Sequence, residues 1–225
     1  MLRPNEIRAV VFDAYGTLFD WASAAERERS ALGPRWRDFA ELWRSKQVQY
    51  TFLRSLQGRH ADFSIVTTDA LDHALEAFGV DDRALRARLL ALHERLEAYP
   101  DARETLERLR QRGRATAILS NGTPGMLAAA VQHAGLSALF DAVLSVESVG
   151  IYKPHPSVYA LASERLGLVP GQVLFVSANG WDAFSAKAFG FRVAWCNRTR
   201  QPHERIPERP DVEVRSLEEV GNLLA

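Results

Sequence analysis

The chain of 225 residues carries a single cysteine, Cys196. It can therefore form no intramolecular disulfide and no multi-thiolate metal site. Cys196 falls in the apolar run FRVAWC, where a cysteine is expected to pack as a small hydrophobe. No apolar stretch approaches the roughly 20 residues that a helix needs to cross a bilayer. The run in MLRPNEIRAVVFD is too short for the core of a signal peptide. An excess of one charge is missing too: Lys plus Arg total 28 and Asp plus Glu total 28, for a formal net charge of zero. No global field draws such a chain to nucleic acid or to an anionic membrane. With no GxGxxG and no phosphate-binding loop, there is no dinucleotide or ATP site to argue. His60, His73, His93, His133, His155 and His203 share no metal-ligand spacing, and surface or capping positions suit them. The composition, 47% hydrophobic and 25% charged, is that of a soluble globular protein. The expectation is a cytoplasmic protein.

What is present is alternation. RAVVFD, ATAILS, DAVLSV, QVLFVS and FRVAWC are short, bounded apolar runs of the kind buried strands require. Helical patterns separate them: ARETLERLRQR, NGTPGMLAAAVQHAG, SVYALASERLG and GWDAFSAKAFG. Thr123 can cap its helix, with Pro124 at the first helical position and Gly135 as the stop, and Asp101 with Glu104 reads as a capping box. At least five strands alternating with helices predict an α/β, doubly wound parallel sheet. One block breaks the pattern. From about Trp21 to Leu96 there is helical periodicity and no strand, with Phe39, Leu42 and Trp43 at i, i+3 and i+4. Further helices read through ALDHALEAFG and ALRARLLALHERL. The expected division is a Rossmann-like core at 1–19 and 98–225, with a helical cap at 20–97 inserted after the first strand.

In open sheets of this kind the loops at the carboxyl ends of the strands form the active crevice. The chemically capable residues gather there. Asp13 and Thr17 follow the first strand, Ser120 and Asn121 the second, Lys153 the third at a short distance, and Ser177, Asn179 and Asp182 the fourth. Gly16 and Thr17 sit in a turn able to present N–H groups to an anion.

The segments DAYGTLFD, LSNG, YKPHPSVY and FVSANGWD, in this order, resemble the haloacid dehalogenase superfamily, and more narrowly its L-2-haloacid dehalogenase branch. LWRSKQVQYTFLRSL is similar to the cap of that branch, so the resemblance covers nearly the whole chain. It implies Asp13 as carboxylate nucleophile. Superfamily phosphatases resemble one another in a second Asp two residues later, the acid for a leaving alcohol; here that place is Tyr15. Their paired acids in the fourth motif are reduced to Asp182, with Ser177 and Asn179 beside it. A hard Mg²⁺ ion wants several oxygen anions around it, so with Lys153 facing Asp13 and Asp182 the site is expected to work without metal or other cofactor.

The same resemblance implies that Arg44 and Asn121 face a departing halide and that Ser120, Thr17 and N–H groups near Tyr15 hold the substrate carboxylate. Ser177, Asn179 and Asp182 would hold and activate a water, with Asp182 as base, and Tyr159 belongs to the same catalytic set. Tyr15, Val48, Phe63 and Trp181 would surround the alkyl group and halide. The implied reaction is hydrolytic dehalogenation of (S)-2-haloalkanoic acids to (R)-2-hydroxyalkanoic acids, and a homodimer through the helical block is a further expectation. A Mg²⁺-dependent phosphatase or phosphonate hydrolase of the same superfamily, and a catalytically silent binding module, are the alternatives. Beside Arg44 the chain departs from the branch pattern, with Ser45 in place of a longer polar residue.

Overall fold

The computed structural model describes residues 2–224, so the expected core bounds at 1 and 225 run one residue past it at each end. Six parallel strands form one sheet in the order β3-β2-β1-β4-β5-β6. They are β1 (Ala9–Phe12), β2 (Ala115–Ser120), β3 (Ala142–Ser145), β4 (Val173–Ser177), β5 (Arg192–Cys196) and β6 (Val212–Val214). Every residue of β1 and of β4 is buried. Helices cover both faces of such a sheet, which is why the sequence shows continuous apolar runs here rather than an in–out alternation.

The order places β1 between β2 and β4, with β1 Phe12 in register with Ile118 on one side and Val176 on the other. From β1 the chain builds one half of the sheet through β2 and β3, then returns to build the other through β4, β5 and β6. The winding reverses between β1 and β4, and a crevice opens beyond their carboxyl ends. Asp13 and Ala178 are the residues that follow there.

Among the described residues, the segment from the end of β1 to Leu96 holds five helices: α1 (Ser23–Arg27), α2 (Arg29–Leu32), α3 (Trp36–Leu56), α4 (Phe63–Ala77) and α5 (Arg83–His93). The remaining helices are α6 (Ala102–Gln111), α7 (Pro124–His133), α8 (Pro156–Leu166), α9 (Gly180–Phe189) and α10 (Leu217–Leu223). Helix α3 buries Phe39, Trp43, Gln47 and Thr51, a stripe at i+4 spacing whose last two members are polar. Among the described residues no helix is long and apolar enough to cross a membrane.

Thr123 caps α7 as expected, accepting from Met126 N. Three readings need correction. Helix α4 begins at Phe63 rather than near Ala70, because Asp62 caps it by accepting from the N–H groups of Ser64 and Ile65. The Asp101–Glu104 capping box does not form. The Asp101 carboxylate instead holds Arg198 at 2.8 and 2.9 Å and accepts from Leu217 N. The strand β6 was not foreseen: three residues after a proline-rich loop carry too little pattern to read.

Candidate active site

Asp13 follows β1 directly, and its N–H donates to Val176 O at 2.9 Å, so the sheet fixes its backbone. Its residue is 5% exposed. The two carboxylate oxygens are treated differently. Oδ2 accepts from Asn179 Nδ2 at 2.8 Å, from Thr17 Oγ1 at 3.1 Å and from Ser177 Oγ at 3.5 Å. Oδ1 accepts from Lys153 Nζ at 3.1 Å. Thr17 reaches back over Asp13 because the chain turns at Gly16, whose φ of 90° a residue with a β-carbon rarely adopts. Ala178 N donates to Thr17 Oγ1 at 2.8 Å, which leaves the hydroxyl proton for Asp13.

Lys153 is 1% exposed and Asp182 fully buried. The ammonium bridges Asp13 at 3.1 Å and Asp182 Oδ2 at 2.9 Å. Tyr159 on α8 donates to Asp182 Oδ1 at 2.8 Å, and Lys153 N donates to Asn121 Oδ1 at 3.0 Å. Burial works against the Lys153 charge, but Asp13 and Asp182 outweigh it and hold the ammonium protonated above its ordinary range. Burial raises Asp182, with Asp13 adding to the rise and Lys153 opposing it. One cation thus lies between two buried carboxylates. Among the described residues no group of three or more His, Cys, Asp or Glu is arranged to hold a metal.

The inserted helices close the other side. Arg44, half-buried on α3, brings Nη2 to 3.4 Å from Tyr15 O and 3.5 Å from Asn179 Oδ1. Burial lowers its pKa, and Asp13 opposes the fall. The Tyr15 ring stacks on Phe63 at 5.7 Å and leans on His93 at 5.6 Å, and His93 in turn meets Trp43 at 5.3 Å. Burial pushes the Tyr15 phenol up. A β-carbon on Gly122 would stand 2.7 Å from Tyr15 Oη, so only glycine leaves room for this ring. Val48, Trp181 and Trp21 share with Arg44 a cavity of about 340 Å³. Glu147, just past β3, accepts from Phe63 N at 3.1 Å and pairs with His60 at 2.8 Å, tying the start of α4 to the sheet.

A buried carboxylate at the winding reversal, an ammonium bridging it to Asp182 and helices from between β1 and β2 now stand together. The sequence pattern of haloacid dehalogenase-like hydrolases matches residues 7–190. The chain belongs to that family. It is 45% identical to (S)-2-haloacid dehalogenase 1 of Pseudomonas sp. (strain CBS-3), over 98% of this chain and 97% of that protein. It is 48% identical to the (S)-2-haloacid dehalogenase of Xanthobacter autotrophicus, over 87% of this chain and 77% of that one. The structure of the L-2-haloacid dehalogenase from Xanthobacter autotrophicus with chloropropionic acid covalently bound superposes with a TM-score of 0.89 at 42% identity, covering 97% and 98% of the two chains. Within the family, the chain falls in the L-2-haloacid dehalogenase branch.

In this dehalogenase-family chain Asp13, Thr17, Ser177, Asn179, Lys153, Asp182 and Tyr159 form one hydrogen-bonded network. Arg44 and Tyr15 join it through Asn179, and Asn121 through the Lys153 backbone. Ser120 ends β2 buried, with its Oγ accepting from Gly122 N at 3.1 Å and no direct bond to the network. Phe63 reaches the site through Tyr15, and Val48 and Trp181 line the adjoining cavity.

The Thr17 hydroxyl donates to Asp13, and the Asn179 amide donates to Asp13 and to Tyr15 O. Two expected details change. The N–H groups of Gly16 and Thr17 close the turn onto Phe19 O and Ala14 O instead of facing outward. His93 is neither on the surface nor a cap: it is buried beside Tyr15 and Trp43, and burial drops its pKa to about 3. Sequence reasoning missed Gln47, Thr67 and His93 as neighbours of Arg44. The available signal was a glutamine on the apolar stripe of α3, since a buried amide must find partners.

Proposed function

We propose that the chain hydrolyses (S)-2-haloalkanoic acids to (R)-2-hydroxyalkanoic acids and halide, with Asp13 as nucleophile and no metal. The observation that carries this reading is the Asp13–Lys153–Asp182 bridge, with Tyr15 in the place where a phosphatase of the superfamily has its acid. A halide leaves as a stable anion and needs no proton.

The unequal hydrogen bonding of Asp13 supports different roles for its two oxygens. Oδ2 has three side-chain donors and Oδ1 only Lys153 Nζ, so Oδ1 is the oxygen left with a free lone pair to attack. Oδ1 attacks the α-carbon from the side opposite the halogen. The carbon–halogen bond breaks, the halide leaves with the electron pair, and an ester forms on Asp13 with inversion at carbon. Arg44 and Asn121 face the halide. A hydrogen bond from a charged donor contributes about 1.5–3 kcal/mol, here realised most fully as the charge develops.

In the ester, Oδ2 is the carbonyl oxygen, and Thr17, Asn179 and Ser177 already surround it. When water attacks the carbonyl carbon the negative charge grows on Oδ2, and these donors serve as an oxyanion hole with no rearrangement. Asp182, whose pKa burial raises, takes the water proton. As the bond between the carbonyl carbon and Oδ1 breaks, Asp182 returns that proton to Oδ1, which leaves as the hydroxyl of the product, and the other water proton passes from the new Asp13 carboxyl to solvent. The helices of residues 20–97 act as a cap that carries Arg44 and keeps bulk water from the ester.

The test is halide release from (S)-2-chloropropionate in the presence of EDTA. The wild type is expected to release chloride undiminished by chelator, and Asp13→Asn to release none. Turnover of phosphomonoesters that requires Mg²⁺, with no halide release, would overturn the reading.

A further inference from the structure

Arg44 does not stand alone on α3. One turn along, Gln47 is 2% exposed and accepts from Arg44 Nη1 at 2.7 Å through Oε1. That contact decides which way the amide faces, because a guanidinium can only donate. Gln47 Nε2 therefore faces the other way, donating to Thr67 Oγ1 at 2.7 Å. Thr67 in turn donates to Phe63 O at 2.7 Å on α4. Nε2 also stands 3.4 Å from His93 Nε2. His93 is held neutral by burial, so its Nε2 can accept the second amide proton and keeps no competing charge beside Arg44.

Every proton in the chain Arg44, Gln47, Thr67, Phe63 O thus has a defined direction, and it ends on the backbone of a helix. Arg44 Nη1 is held, and Nη2 is left pointing toward Tyr15 O and Asn179 Oδ1 at 3.4 and 3.5 Å, distances long enough for a better acceptor to replace both.

We infer that Gln47 is a positioning residue for the halide-releasing step: it fixes the Arg44 guanidinium so that Nη2 meets the departing halide. This rests on the proposed dehalogenation. Gln47 touches no reacting atom, so its effect must pass through Arg44 and must depend on how much the leaving group needs a cation. Chloride is the poorer leaving group and carries the more concentrated charge, so it needs Arg44 more than bromide does.

The experiment is single-turnover halide release from (S)-2-chloropropionate and (S)-2-bromopropionate by the wild type, Gln47→Leu and Gln47→Glu. In Gln47→Leu, chloride release is expected to slow on the order of 10- to 100-fold, the loss of one hydrogen bond to a charged group, and bromide release by clearly less. Gln47→Glu keeps an oxygen facing Nη1 and is expected to return the bromide-to-chloride rate ratio to near the wild-type value. Equal slowing of both halides in Gln47→Leu, or a Gln47→Glu ratio no closer to wild type, would overturn the inference alone. If Gln47→Leu does not fold, the Gln47→Glu ratio and that of Thr67→Val, which cuts the next link, still decide it, Thr67→Val being expected to shift the ratio in the same direction by a smaller factor. Absence of halide release by the wild type would overturn the proposed function and this inference together.

Discussion

Single residues in this site do what their neighbours allow. Asp13 is an ordinary carboxylate until three donors take Oδ2 and one ammonium takes Oδ1. His93 is the sharpest case, since nothing in its sequence neighbourhood announces burial. Its pKa is lowered to about 3 by burial, with Arg44 adding to the fall. An unfolded histidine titrates near 6.5, so between those values only the unfolded chain binds the proton. Acid therefore weakens the fold below about pH 6.5, by up to ~1.4 kcal/mol per pH unit for this one group, and above that pH the effect vanishes. Chemical denaturation at pH 7 and pH 5 is expected to show the wild type losing roughly 2 kcal/mol more than His93→Phe, which keeps the ring stack but cannot protonate. Equal losses would mean that His93 takes up its proton in the folded state.

At the scale of elements, the strand ends were legible and the inserted helices less so. The ends of β1, β2 and β4 carry chemically capable residues because a parallel sheet points its carboxyl ends into one crevice, a placement readable from the alternation of apolar runs. Helix α4 was misplaced because its start depends on one side chain, Asp62, rather than on apolar periodicity. The Ser64 hydroxyl, 2.5 Å from that carboxylate, heads the contacts that hold Asp62 below the usual carboxylate range. A depressed pKa means the contribution is present above the unfolded value near 3.9 and is lost as pH falls through the folded one. Asp62→Ala is expected to cost about 1 kcal/mol in urea denaturation at neutral pH, a deficit that shrinks in strong acid. A deficit unchanged by acid would contradict the capping role. The Gln47–Thr67 link between α3 and α4 was illegible for a different reason: hydrogen-bond partners from separate helices leave no mark on either helix's own periodicity.

The whole molecule divides its labour along the winding of its sheet. The strands β1 and β4 bring Asp13, Ser177, Asn179 and Asp182 together from segments far apart in the chain, and the inserted helices deliver Arg44 across the opening. The motifs identified the residues of the network, but their division of roles needed three dimensions. Thr17 and Asn179, expected on substrate and water, both donate to the Asp13 carboxylate, a contact that no motif spells out. That arrangement makes a specific claim: water attacks the Asp13 carbonyl carbon, not the substrate carbon. A single turnover of (S)-2-chloropropionate by excess enzyme in water labelled with heavy oxygen, followed by mass spectrometry, tests it most directly. The account predicts one heavy oxygen in the peptide containing Asp13 and none in the 2-hydroxypropionate released in that first turnover. Heavy oxygen in the product with an unlabelled peptide would contradict it, for water would then have displaced the halide itself.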